Sequence, residues 1–273
     1  MGQTAEKMGI EFTEFAGPSV SDLERLFLAF GFSKTDQVKG KAITHFRQND
    51  IHFLLNAERE GFSAAFAKAH GPAITSMGWR VDDAEAAHRE ALARGARAAE
   101  VKDLPYPAIF GIGDSLIYFI DSFGAKGSIY KQAFEPLAEP ILQADKGFLA
   151  VDHLTNNVYP GTMEQWADFY KNVFGFYEVR YFDIKGVKTG LTSYALRSPD
   201  GSFCIPINQP KSDKDQIAEY LEEYRGPGVQ HLAFLTEDIL ASLDAMVGTP
   251  IDTLDIDEDY YAEVFTRVPG VKE

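Results

Sequence analysis

The chain has 273 residues, of which 45% are hydrophobic and 25% are charged, a composition typical of a globular protein with room for two domains. Its formal net charge of −15 argues against nucleic acid and anionic membrane surfaces as partners, and no apolar run is long enough to span a bilayer. The single cysteine, Cys204, cannot form an internal disulfide and no signal peptide is visible, so we expect a cytoplasmic protein.

The first half is predicted to contain two successive units of strands and helices. The expected strands, which alternate apolar and polar residues or form short apolar runs between turn signals, are 10–15, 32–38, 42–48, 51–55, 74–81 and 115–121. A helix begins near Ser19 or Ser21 and ends at Gly31. A second helix runs from Asp82 or Asp83 to Arg94. This order corresponds to two βαβββ-type units in succession.

The second half repeats the first. The segment 150–153 aligns with 9–12, and the segment 229–235 aligns with 75–81. Thr162 opens a capping-box pattern at the start of one helix, and another helix is expected from Glu237 to Met246. An internal repeat of this length is strong information about architecture.

The expected fold is therefore α+β, with two tandem domains at residues 1–145 and 146–273. Each domain would consist of paired βαβββ units that form one curved, barrel-like sheet around a cavity.

Two histidines stand out in the second half. His153 and His231 each lie inside a short apolar strand, where an imidazole needs partners for both ring nitrogens. At the aligned positions the first half has Phe12 and Met77. One interpretation is two unrelated core histidines that bond to the backbone. We favour the other, a shared metal ion, because the polar residues occur in only one of two matched units.

Several motifs resemble the 4-hydroxyphenylpyruvate dioxygenase family of the vicinal oxygen chelate superfamily, which also contains glyoxalases and bleomycin resistance proteins. The resemblance covers residue 9 to the C-terminus. The matching segments are 110–113, 116–121, 151–158, 181–186, 190–193, 205–208 and 228–234. The first two lie in the first half, which lacks counterparts of His153 and His231 and is expected to be a structural domain without metal ligands.

The resemblance implies an Fe(II) centre held by two histidines and one glutamate, with one face open for substrate and dioxygen. The two histidines correspond to His153 and His231. The pocket residues that the family implies are Ser193, Pro206, Asn208, Gln216 and Gln230, with catalytic roles for Ser193 and Gln230. Ordinary hydrogen bonding within strands and loops remains the alternative for each of these side chains.

The implied reaction converts 4-hydroxyphenylpyruvate, a 2-oxo acid, and O2 to homogentisate and CO2 in tyrosine breakdown. Two alternatives remain open. One is 4-hydroxymandelate synthase, which acts on the same substrate. The other is a ligand-binding protein of the same superfamily without catalytic activity. The family also implies a homodimer or homotetramer.

The chain departs from the family at the third metal ligand. The family's glutamate lies in a Phe-Phe-Glu run, and none occurs here. Glu273 lies 42 residues after His231, as Phe119 lies 42 residues after Met77, but residues 268–272 do not resemble a buried strand. The third carboxylate is therefore not identified. Because the sequence ends close to what resembles the loop 260–263, we expect a truncated C-terminal domain.

The remaining histidines and one acidic run are expected to have structural and not functional roles. His88 is expected to be solvated on its helix, and we favour structural roles for His45 and His52, which lack matched partners in the repeat. The acidic run that contains Asp252 and Asp259 lacks the glycine and the ligand spacing of an EF-hand loop, so a solvated loop is expected there.

Overall fold

The computed structural model describes residues 7–185 and 190–254. The predicted loop 260–263, Glu273 and most of the acidic run lie outside these residues. None of the helices in the described ranges is both long and apolar enough to cross a membrane.

The first repeat, residues 7–141, forms one eight-stranded sheet with four helices. Its strands are β1 (Lys7–Ala16), β2 (Ser33–Val38), β3 (Ile43–Gln48), β4 (Ile51–Asn56), β5 (Ala73–Val81), β6 (Ala108–Phe110), β7 (Leu116–Ile120) and β8 (Phe134–Ile141). Its helices are α1 (Val20–Ala29), α2 (Phe62–His70), α3 (Ala84–Ala93) and α4 (Ile129–Gln132). The strand order is β6-β7-β5-β1-β4-β3-β2-β8.

The second repeat, residues 148–246, forms a five-stranded sheet. Its strands are β9 (Phe148–Asn157), β10 (Tyr177–Lys185), β11 (Gly190–Arg197), β12 (Cys204–Pro210) and β13 (Gly228–Thr236). Its helices are α5 (Met163–Phe174), α6 (Gln216–Tyr224) and α7 (Ile239–Met246). The order β10-β11-β12-β9-β13 reproduces β2-β3-β4-β1-β5 of the first sheet. The predicted α+β fold with repeated units is confirmed, and the described strands form two open sheets rather than closed barrels.

The two repeats also share their β-bulges, which fixes the correspondence between them residue by residue. In the first repeat, Glu11 is the extra residue between the pairs Ile10–Trp79 and Phe12–Gly78. In the second, Asp152 is the extra residue between the pairs Val151–Phe234 and His153–Ala233. A second bulge places Thr75 in the first repeat where Gln230 lies in the second. The equivalent residues, first repeat first, are Ile10 and Val151, Glu11 and Asp152, Phe12 and His153, Glu14 and Thr155, Thr75 and Gln230, and Ser76 and His231.

This register corrects one part of the predicted alignment. Phe12 does occupy the place of His153, and its side chain is buried. The place of His231 belongs to Ser76 and not to Met77, because Ser76 pairs with Glu14 as His231 pairs with Thr155. β5 is buried along nearly its whole length on both faces, so it lacks the alternation of buried and exposed residues that would have revealed a shift of one residue.

Three helices, one of them α4, were not predicted, and neither were the strands β6 and β8 or several local details. Neither α2 nor α6 was expected, although each directly precedes the strand that pairs with the first strand of its repeat. The helix start predicted at Thr162 is confirmed, but the side-chain cap is wrong, because the Thr162 hydroxyl donates to the carbonyl of Tyr159 instead of accepting from the helix. The expectation of a solvated His88 is also wrong, since its Nε2 is buried and has no hydrogen-bond partner in the described part of the chain.

One hydrophobic core joins the two repeats. Trp79 of β5 is fully buried, and its ring packs against Tyr170 and Phe174 of α5, and against Phe176 and Phe203 of the second repeat, with ring centroids 4.9–6.1 Å apart. The faces of the two sheets that carry this core therefore turn toward each other. The opposite faces hold the polar residues considered below.

Candidate metal centre

The strands that carry His153 and His231 are direct neighbours. β9 and β13 pair antiparallel, with His153 opposite Ala233 and His231 opposite Thr155. The intervening residue Leu154 packs into the shared core. Since side chains alternate along a strand, both histidines project from the opposite, polar face. The sheet thus brings together the two residues that the sequence predicted as metal ligands.

The separation of the two rings suits a common metal ion. The imidazole centroids of His153 and His231 lie 5.6 Å apart, and the ring planes are inclined by 74°. Two histidines with ring nitrogens about 2.1 Å from one ion have ring centres about 4.6–5.6 Å apart for ligand angles between a right angle and roughly 120°. The observed separation lies at the wide end of this range.

The neighbouring residue along the chain orients each ring. Nδ1 of His153 lies 2.8 Å from Oδ2 of Asp152, and Nδ1 of His231 lies 2.7 Å from Oε1 of Gln230. Both partners are acceptors, so each Nδ1 carries the proton and each Nε2 keeps a free lone pair. Burial, reinforced by the nearby His153, lowers the pKa of His231 and favours the neutral ring that a metal requires.

The β-bulges explain how these orienting contacts arise. Asp152 and Gln230 are the extra residues of their bulges, so each leaves the regular alternation and reaches back to the adjacent histidine. Gln230 was predicted as a pocket residue, and the structure places its side chain against His231. Asp152 was not predicted as a site residue, and the only signal in the sequence is its position directly before His153.

The other predicted pocket residues form rows across the same face. Ser193 pairs with Asn208, and Asn208 pairs with Asn157. These three form a polar row, while Pro206 lies one row closer to His153. Adjacent rows on one face are separated by two residues, about 7 Å. The polar row is therefore about 7 Å from the level of His231 and about 13 Å from that of His153.

Asn157 adds a hydrogen-bond donor that the sequence analysis did not single out. Its Oδ1 accepts from Nδ2 of Asn208 at 3.3 Å. Its own Nδ2 is buried and finds no partner among the residues that the structure describes. A buried amide donor without a partner is costly unless something binds it. The signal that could have identified it is the run of polar residues Thr155, Asn156 and Asn157 at the end of β9.

Gln216 is placed differently from the other predicted residues. It is the first residue of α6 and is exposed, whereas the polar row lies on β9, β11 and β12. The described contacts do not connect its side chain with the histidine pair. Within residues 7–185 and 190–254, no group of three or more His, Cys, Asp or Glu side chains could hold a metal ion, so the two histidines lack a third protein ligand among these residues.

The first repeat holds a buried carboxylate at the level that corresponds to His231 in the second repeat. Glu14, the equivalent of Thr155, is fully buried. It accepts from Asn56 Nδ2 at 2.7 Å, from Ser63 Oγ at 3.2 Å, and from the hydroxyl of Ser76. Burial raises the pKa of Glu14 despite these hydrogen bonds. Its neighbours are hydroxyls and an amide, so this level of the first repeat is a closed hydrogen-bond network.

We expect this network to make stability depend on pH. Because the folded pKa of Glu14 is raised, the folded state retains a proton that the unfolded chain releases as pH rises above about 4.5. The free energy of unfolding should therefore fall through that window, and Glu14→Gln should remove this contribution. Urea unfolding between pH 4.5 and pH 8 should show the variant gaining stability relative to the parent protein as pH rises. The exposed Glu85→Gln is the control, and an equal pH trend in both variants would contradict the assignment.

The comparisons with known proteins match both halves of the chain. Residues 3–135 match the family model described as hydroxyphenylpyruvate dioxygenase, HPPD, N-terminal. Residues 150–256 match the glyoxalase/bleomycin resistance protein/dioxygenase superfamily.

Two curated relatives align over almost the whole chain. Protein MelA of Shewanella colwelliana is 64% identical over 97% of this chain and 78% of its own length. The 4-hydroxyphenylpyruvate dioxygenase of Legionella pneumophila is 41% identical over 97% of this chain and 76% of its own length. A solved 4-hydroxymandelate synthase variant from Streptomyces coelicolor shares the fold, with a TM-score of 0.80 at 19% identity over 94% of this chain and 80% of that one.

Proposed function

Because the chain belongs to the 4-hydroxyphenylpyruvate dioxygenase family, we propose that it takes part in the conversion of 4-hydroxyphenylpyruvate and O2 to homogentisate and CO2. The observation that carries this proposal is the pair of histidines with ring centroids 5.6 Å apart, in which both Nδ1 atoms are hydrogen-bonded and neither Nε2 atom has a partner among the described residues. The residues fit Fe(II), since neutral imidazoles are favourable ligands for it. His153 and His231 would hold the iron, which supplies a Lewis-acid site for the 2-oxo acid and dioxygen.

The polar row supports the choice of substrate. In a phenylpyruvate with ordinary bond lengths, the 2-oxo acid oxygens lie roughly 7–8 Å from a para-hydroxyl. This distance matches the spacing of about 7 Å between the level of His231 and the row of Ser193, Asn208 and Asn157. With its 2-oxo acid near the histidines, the substrate would place its phenol against this row. The Nδ2 of Asn157, which has no partner among the residues that the structure describes, would donate to the phenol oxygen.

In this proposal Asp152 orients His153, and this role can be tested separately from metal binding by the histidines. Asp152→Ala should weaken Fe(II) or Co(II) affinity about 10–100-fold, because His153 loses the acceptor that fixes its tautomer and ring orientation. Asp152→Asn should retain affinity within a few-fold, since an amide oxygen can accept from Nδ1 as Gln230 does for His231. Isothermal titration calorimetry with Co(II) measures both variants. The control is the exposed Asp168→Ala on α5, and equal affinities for all three variants would remove Asp152 from the site.

Ser193 is expected to affect substrate and not metal. Ser193→Ala should raise KM for 4-hydroxyphenylpyruvate about 2–10-fold through the loss of one hydrogen bond, with Co(II) affinity unchanged. Thr192→Val is the matched control. Thr192 directly precedes Ser193 on β11, so alternation places its side chain on the opposite face. Steady-state kinetics of the two variants checks this. An unchanged KM in Ser193→Ala would place the phenol elsewhere.

Product analysis tests the proposed reaction directly. The protein is loaded anaerobically with Fe(II), mixed with 4-hydroxyphenylpyruvate and oxygenated buffer, and followed by oxygen uptake and mass spectrometry. Homogentisate formed in proportion to the O2 consumed supports the proposal. Hydroxymandelate as the product would identify the rival reaction.

A second candidate function rests on the absence of a third ligand among the described residues. In that case the protein binds a ligand of the same class without turning it over. Saturable binding of Fe(II) and 4-hydroxyphenylpyruvate with no O2 consumption would establish this function and exclude the first.

A further inference from the structure

The first repeat has a cavity of its own. It has a volume of about 440 Å3 and is lined by residues of β1, β2, β3, β4, β5 and α4, among them Glu11, Asp36, His52 and Arg80. Glu11 is the equivalent of Asp152, so this cavity lies beside the level of the first sheet that corresponds to the level of His153 in the second. The site proposed above does not use any of these residues.

A chain of hydrogen bonds ends at this cavity. Oδ2 of Asp36 lies 3.3 Å from Nδ1 of His45, and Nε2 of His45 lies 2.9 Å from Nδ1 of His52. The carboxylate accepts, so His45 donates through Nδ1 and accepts through Nε2, and His52 donates through its own Nδ1. Nε2 of His52 is then left as a lone pair. His52 is 9% exposed. Its Nε2 has no hydrogen-bond partner within the described ranges.

Stacking holds the two histidines in place. The ring of Tyr130 on α4 lies over both, with centroids 4.2 Å from His45 and 4.4 Å from His52 and planes inclined by 7° and 18°. The Tyr130 hydroxyl donates to the carbonyl oxygen of Glu11 at 2.9 Å, which anchors α4 to β1. Burial lowers the pKa of both histidines, so the neutral rings and the free acceptor persist at neutral pH.

The charges around the cavity divide into paired and unpaired groups. The guanidinium of Arg80 bonds to Glu11 at 2.5 Å and to both oxygens of Asp50 at 2.8 Å, so these charges are satisfied. Arg47 donates through Nε to the carbonyl of Asn49 at 3.0 Å. Its terminal nitrogens and the ammonium of Lys131 have no carboxylate bonded to them in the part of the chain that the structure describes. Both cations line the cavity.

We propose that this cavity is a second ligand-binding site, specific for a small organic carboxylate that also carries a hydroxyl group. The ligand's hydroxyl donates to Nε2 of His52, and its carboxylate binds Arg47 and Lys131. The ring of Phe123, which also lines the cavity, offers an apolar surface for the body of the ligand. A volume of about 440 Å3 accommodates a molecule of about a dozen non-hydrogen atoms. The proposal does not depend on the reaction proposed above.

The test uses 4-hydroxybenzoate as the probe and benzoate as the matched compound without the hydroxyl. The full chain carrying His153→Ala and His231→Ala removes the other candidate site. Two-dimensional NMR of the ¹⁵N-labelled imidazoles should show a saturable shift of the His52 Nε2 resonance with 4-hydroxybenzoate and a smaller one with benzoate. Arg47→Ala should weaken binding at least about 5-fold by calorimetry. Arg25→Ala, an exposed arginine on α1, should leave it unchanged.

Different results would contradict the site as a whole and the assignment of the hydroxyl to His52. An unmoved His52 Nε2 resonance at 10 mM 4-hydroxybenzoate, or equal affinity in Arg47→Ala and Arg25→Ala, overturns the site. Equal shifts with benzoate and 4-hydroxybenzoate overturn the assignment of the hydroxyl to His52. His52→Phe removes the acceptor and should abolish binding. If that variant fails to fold, the NMR and Arg47 results still decide.

Discussion

His153→Ala is expected to abolish both metal binding and turnover. The substitution removes one of the two Nε2 atoms that have no hydrogen-bond partner in the described part of the chain, and His231 alone should not retain the ion. We expect Co(II) affinity to fall by at least about 100-fold, more than the loss expected from removing an orienting partner. Turnover of 4-hydroxyphenylpyruvate should fall to background. Calorimetry with Co(II) and oxygen uptake with Fe(II) measure the two effects independently.

His88→Ala is the control for this substitution. It also removes one imidazole, but from α3 of the first repeat, where His88 Nε2 has no hydrogen-bond partner among the described residues. This variant should keep metal affinity and turnover within about two-fold of the parent protein. If His153→Ala bound Co(II) as tightly as His88→Ala, the histidine pair would not be the metal site, whatever the activity of the protein.

Trp79→Ala is expected to produce the largest loss of stability. The indole is fully buried at the junction of the repeats and contacts four aromatic rings of the second repeat. Large-to-small substitutions of buried aromatic residues cost about 3–5 kcal/mol. We expect a decrease of this size in the free energy of unfolding by urea. Because the core is shared, both repeats should unfold in one transition.

Trp166→Ala tests whether the effect depends on position and not on residue type. Trp166 lies on α5 and is only partly buried against the same core, so its loss should cost less than about 2 kcal/mol. Equal losses for the two tryptophans would contradict the shared core. Two separate unfolding transitions in the parent protein would show that the repeats are energetically independent.

Much of the architecture could be predicted from the sequence because it depends on local patterns. Six of the eight strands of the first repeat were predicted to within a few residues, since alternation and turn residues report burial directly, whereas β6 and β8 were missed. The helix starting at Asp83 was also recognisable, and Asp83 accepts from the amide of Ala86 as a cap should. α2 was missed because its alanine-rich sequence lacks a clear apolar stripe, and its burial against β5 and β1 is a tertiary effect.

By itself, the sequence determined the repeat, the family resemblance and the two histidines, because each is a property of residue order. Only the tertiary structure decided the register, since bulges at Asp152 and Gln230 depend on how the strands pair. The same pairing gives each histidine its Nδ1 partner and places Asn157 beside Asn208. His45 and His52 received structural interpretations from the sequence. They bond in a chain with Asp36, and the ring of Tyr130 stacks on both. This contact joins three strands and a distant helix, and no spacing along the chain encodes it.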